Sequence, residues 1–129
     1  MLAVDTNVVV RYLTNDDAQQ CARARSLINN NAILLSATVL LEADWVLRST
    51  YKYARSDSVD ALRAFSGLPT VSLDQPARIA RAFDWALHGM DFADALHMAS
   101  AADCDAFVGF DGDLAKAAKR AGALEVRKP

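Results

Sequence analysis

The chain has 129 residues, 53% of them hydrophobic and 23% charged, with few Gly and Pro, which supports one domain with its own core and excludes a disordered chain. A net charge of −2 does not by itself point to a polyanionic partner. The longest apolar stretches, such as Ala37 to Leu41, are interrupted by Glu42 and Asp44 before they could span a bilayer, and the start has no basic region leading into an extended apolar run, so a cytoplasmic protein without a membrane segment or secretory signal is expected.

In chain order, Met1 to Val4 is a short apolar strand ended by Asp5, Thr6 and Asn7, and a helix follows through Leu13. Asp16 and Asp17 open a second helix running to Asn29, with Ala22, Ala24, Leu27 and Ile28 as its apolar side. Ala32 to Leu35 is a buried strand, followed by Ser36 and a helix from about Thr38 to Ser49. Ser56 to Phe65 is the next helix, stopped by Gly67 and Pro69. Thr70 to Leu73 is a third strand, and Gln75-Pro76 begins a helix with Ile79, Phe83 and Leu87 on one side, closed by Gly89. Asp91 starts a helix to about Ala102, Ala106 to Gly109 is a fourth strand, Gly112 to Ala121 a helix, and Leu124 to Val126 a last strand. Short apolar strands alternating with helices predict an α/β fold, with a central, mostly parallel sheet of four to five strands flanked by helices, all in one domain over 1–129. Cys21 and Cys104 lack metal-ligand spacing and are expected as free thiols.

In open α/β sheets the ligand crevice lies beyond the carboxyl ends of the strands. Asp5 directly follows the first strand and Asp111 follows the fourth, so the two converge if those strands are neighbours. Glu42 lies one turn into the helix after the second strand, and Asp94 in the first turn of the helix before the fourth. Each aspartate can equally be a helix cap or a first-turn acid facing the helix dipole. Glu42 is different, because its helical neighbours include Val39, Trp45 and Val46; a carboxylate on an apolar face needs a cation, a basic partner or a raised pKa. Asp44, one turn before Arg48, reads as a surface ion pair worth a few tenths of a kcal/mol. Carboxylates sharing a cleft repel one another by up to about 4 kcal/mol per pair at ~4 Å and an effective dielectric near 20. A divalent cation relieves this, and an oxygen-only set favours magnesium or manganese over zinc, with calcium left open. Three basic groups, Arg23 with Arg25, Arg78 with Arg81, and Lys116 with Lys119 and Arg120, can follow a phosphate backbone or simply be solvated helix faces.

Four segments together, AVDTNVVVRYL, VLLEADWVL, DFADALHMASA and FVGFDGDLAK, resemble a PIN domain, most closely the VapC toxins of bacterial toxin–antitoxin pairs, over nearly the whole chain. The resemblance implies a PIN-like fold and a ribonuclease using Mg2+ or Mn2+. It also implies that Asp5, Glu42, Asp94 and Asp111 are the catalytic, metal-binding acids, with Thr6 and Asn7 supporting the first and Asp113 a fifth ligand. Such families often carry Thr or Ser where this chain has Gly109, so that supporting hydroxyl is missing. A homodimer silenced by a cognate antitoxin, whose tail occupies the active-site groove, is implied as well. Ser36 reads as a helix start in preference to a group ordering water or RNA, and His97, one turn after Asp94, as a hydrogen-bonded helix residue in preference to an acid/base group. Apolar residues on the third and fourth helices, including Trp45, Leu62 and Phe65, exceed what one covered face needs and suggest a dimer surface. Two alternatives stand beside the nuclease. One is a PIN-fold binding module without catalysis. The other is a haloacid dehalogenase-like phosphatase, which requires an aspartate where this chain has Asn7.

Overall fold

The structure, a computed structural model, describes residues 1–129. The elements are β1 (Leu2–Ala3), α1 (Thr6–Leu13), α2 (Ala18–Asn30), β2 (Ile33–Leu35), α3 (Ala37–Ser49), α4 (Arg55–Ser66), β3 (Val71–Leu73), α5 (Pro76–Leu87), α6 (Phe92–Ser100), β4 (Phe107–Val108), α7 (Gly112–Ala121) and β5 (Val126–Arg127). All strand pairings are parallel, as expected where successive strands are joined by helices. The five strands form two ladders, β1-β2-β3 and β4-β5, where the sequence led us to expect one central sheet. Element ends agree with the sequence to within a few residues; β5 starts at Val126 in place of Leu124, where Phe107 and Val108 find their ladder partners Val126 and Arg127.

The chain divides into two compact units, Met1–Pro76 and Ala77–Pro129. In the first, α1 packs against α2 and α3, and α3 against α4, over a core that includes Val9, Ile28, Ile33, Leu35, Leu40 and Phe65. Tyr12 meets Phe65 edge to face at 5.1 Å. In the second, Phe83 and Phe92 stack at 5.1 Å between centroids, and Ile79, Met98 and Leu114 are buried. Gly122, at φ 68, closes α7 in the left-handed conformation that a side chain would strain.

Helix α3 departs from expectation in which acid it buries. Its buried residues are Leu40, Ala43, Asp44 and Leu47, an i, i+3, i+4, i+7 stripe. Glu42 stands two positions from Asp44, about 200° around the helix, and is exposed together with Trp45, at 64%. The apolar neighbours of Glu42 therefore do not mark a buried face, and Asp44 is the carboxylate inside. Its Oδ1 accepts a hydrogen bond from the fully buried Ser58 at 2.7 Å, and its Oδ2 lies 3.8 Å from Arg48 Nε. Two further expectations change for the same reason of helical phase. Leu62 and Phe65 belong to the α4 core stripe with Val59, leaving Trp45 as the exposed member of the suggested dimer patch. On α5 the buried set is Ile79, Ala82, Phe83 and Trp85, while Leu87 is exposed.

Candidate active site

In the first unit the ladder registers pair Ala3 with Leu34 and Leu35 with Leu73. Carried past the strand ends, they set Asp5, Ser36 and Asp74 side by side along the carboxyl edge of the sheet, on strands ~4.8 Å apart. Asp5 is the N-cap of α1: its Oδ1 accepts from the Thr6 amide at 2.8 Å. The residue is exposed, and Oδ2 remains available. Ser36 caps α3 by accepting from the Val39 amide at 3.3 Å, which supports its reading as a helix start.

Asp74, which sequence reasoning did not single out, completes this edge. Its Oδ1 accepts from the Ala37 amide at 3.1 Å, a second acceptor at the α3 N-terminus. The signal was present, since Asp74 directly follows the third strand and Asp5 comes two residues after the end of the first. Thr6, the next residue, is buried, and Asn7 is exposed on the first turn of α1. Asn7 lines a cavity of about 360 Å3 together with Val8, Arg11, Gln20, Arg23 and Leu27.

Arg11 is fixed within this wall. It donates to Asp16 at 2.8 Å, to Gln20 at 2.7 Å and to the Tyr51 hydroxyl at 2.9 Å, and that hydroxyl donates to Asp16 at 2.7 Å. The Tyr51 hydroxyl, then Arg11 and Thr14, hold the Asp16 carboxyl below its ordinary range, and the Asp16 hydrogen bond raises Arg11.

In the second unit, Asp91 is the N-cap of α6, accepting from the Asp94 amide at 3.4 Å, and Asp94 is half-buried in the first turn. His97 is exposed in the last turn of the same helix. Asp111 caps α7, and the amides of Asp113 (2.9 Å) and Leu114 (3.3 Å) both end on its Oδ1, which leaves Oδ2 available. Asp111 and Asp113 are both exposed. A Cβ on Gly109 would meet nothing within 4 Å, so no crowding excludes a hydroxyl side chain from that position. Arg78 lies 3.8 Å from Asp103, and both are exposed.

Capping and metal binding do not compete for Asp5 or Asp111, because in each the cap engages one oxygen. Exposed carboxylates with a lone oxygen match the hard, oxygen-preferring ions of the magnesium type. No group of three or more His, Cys, Asp or Glu side chains is drawn together in a way that could hold a metal ion. Both thiols are free, Cys21 buried and Cys104 exposed, and no helix is long and apolar enough to cross a membrane.

No curated protein matches the chain. The PIN domain family model matches residues 2–120, spanning every element from β1 to nearly the end of α7. A match over that span shows that the chain belongs to the PIN domain family, whose members are generally nucleases and typically metal-dependent.

Proposed function

We propose that this protein is a divalent-metal-dependent endoribonuclease and the toxin component of a toxin–antitoxin pair, working as a homodimer and restrained by its cognate antitoxin. The observation that carries the nuclease reading is the family match over residues 2–120. Support for its chemistry comes from the exposed carboxylates of Asp5 and Asp111, each with an uncommitted oxygen. Membership in a nuclease family argues against the phosphatase alternative. The toxin reading rests on the resemblance of the four motif segments to VapC proteins.

Asp5, Glu42, Asp94 and Asp111 are the acids that would hold Mg2+ or Mn2+, with Asp113 a further ligand. Bound there, the ion would supply a nucleophilic water and neutralise the phosphate for in-line attack; with water as the nucleophile the products would carry a 3′-hydroxyl and a 5′-phosphate. The α1 and α7 N-caps engage one oxygen each of Asp5 and Asp111 through backbone amides, which leaves the second oxygen of each carboxylate for an ion.

The test is incubation of purified protein with a panel of RNAs, with and without Mg2+ or Mn2+. Internal cleavage that chelator abolishes and either ion restores is expected. Metal-independent cleavage would refute the mechanism, and RNA binding without cleavage would establish the inactive binding module instead. Co-purification with the product of an adjacent gene, and recovery of cleavage once it is removed, tests the toxin assignment.

A further inference from the structure

Phe110 is the most exposed large apolar residue of the protein, at 84%, and it directly precedes Asp111. A phenyl ring left in water forgoes the gain of burial, and this one stands next to a candidate acid. Its setting is open. Gly109 and Gly112 flank the Phe110-Asp111 pair, and a Cβ at either would meet nothing within 4 Å. Neither glycine has a positive φ, so neither is demanded by backbone or by crowding. Val108, two residues earlier on β4, is also exposed, at 59%.

The charges nearby select what can lie there. Asp111 and Asp113 repel a bare phosphate, whereas a neutral base can rest against the exposed Phe110 ring. Beyond the acids α7 turns basic. It buries Leu114, Ala117 and Ala118, while Lys116, Lys119 and Arg120 are exposed. Positions 116, 119 and 120 share one helix face. They form a cationic ridge ~6 Å long that begins one turn past the acids.

We infer that Phe110 is a stacking platform for one unpaired base of single-stranded RNA, and that the Lys116–Lys119–Arg120 ridge carries the phosphates beyond it. A base in a duplex has both faces covered by its neighbours, so the platform selects unpaired segments. This inference rests on the proposed RNA substrate and adds a specificity-determining residue next to the candidate acid Asp111.

The experiment uses the full chain in chelator at low salt, which stops metal-dependent cleavage, with a single-stranded oligoribonucleotide carrying 2-aminopurine. Stacking on Phe110 is expected to change the 2-aminopurine emission on binding. Phe110→Ala should raise Kd about 5- to 100-fold, the loss of one stacked base, and remove that change while leaving the salt dependence intact. Phe110→Tyr should restore both. Lys116→Ala should instead lower the salt slope by about 0.7, one phosphate contact on a single strand, and keep the emission change. Wild-type affinity in Phe110→Ala, or equal loss of duplex binding, would overturn the inference. So would an absence of RNA binding by the wild type. Metal-dependent cleavage with Phe110→Ala unaffected sinks this inference alone, whereas stacking without any cleavage sinks the nuclease reading alone.

Discussion

Replacing Ser58 by Ala distinguishes a buried from a surface carboxylate at Asp44. Ser58 is fully buried and donates to Asp44 Oδ1 at 2.7 Å, and Asp44 is 2% exposed. A hydrogen bond to a charged acceptor contributes about 1.5 to 3 kcal/mol, and a buried carboxylate left short of a donor keeps its desolvation cost. Ser58→Ala is therefore expected to destabilise the fold by about 2 kcal/mol. For a chain of this length that lowers Tm by roughly 6 to 10 °C. Asp44→Ala leaves the buried Ser58 hydroxyl without its acceptor, while Arg48, 28% exposed, can turn to water; the expected cost is about 1 to 3 kcal/mol, a sizeable share of a typical total near 5 to 15 kcal/mol. Because the two side chains share one interaction, the double variant should be less destabilised than the sum, by about 1 to 2 kcal/mol. Urea unfolding of the four proteins at neutral pH measures all three quantities. A loss of only a few tenths of a kcal/mol in either single variant, or strict additivity in the cycle, would mean that the Asp44 carboxylate is solvated and that the α3–α4 contact is not held as described.

Asp5→Asn, Glu42→Gln and Asp94→Asn are each expected to abolish cleavage, and Asp111→Asn to reduce it less. Because Asn caps a helix as well as Asp, Asp5→Asn and Asp111→Asn should keep the wild-type Tm within about 2 °C, so a wild-type cleavage rate in the Asp5 variant would refute its role as a ligand. For Asp16, whose pKa is lowered chiefly by the Tyr51 hydroxyl, the linked stabilisation is fully present above the ordinary carboxylate range and is lost as pH falls through the lowered folded value. Tyr51→Phe should move the Asp16 midpoint upward in a carboxyl NMR titration; no movement would mean that the hydroxyl is not its donor. Sedimentation across a concentration series should show a dimer that Trp45→Ala weakens, since Trp45 is 64% exposed on α3; a monomer at micromolar concentration contradicts the dimer.

Much of the local architecture was legible from the residues alone. Strands announced themselves as short apolar runs bounded by Asp, Asn, Ser or Gly, and helices by caps such as Asp17, Ser36, Asp91 and Asp111 that structure and sequence share. These signals are encoded within a few residues, so they survive without knowledge of what lies elsewhere in the chain. The α/β class and the candidate acids at strand and helix ends followed from them. Helical phase did not. On α3 the sequence offers apolar residues on every side, including Leu41, Trp45 and Val46, so periodicity alone does not say which direction faces the core. The packing of α3 against α1 and α4 decides it, and with it the exchange of roles between Glu42, which is exposed, and Asp44, which is buried against Ser58. Leu62 and Phe65 were drawn inward by the same contacts, and Asp74 acquired its place beside Ser36 from the β2–β3 register. Each of these outcomes depends on partners far away in sequence, and long-range packing is the part of the fold that a local pattern of residue types leaves open.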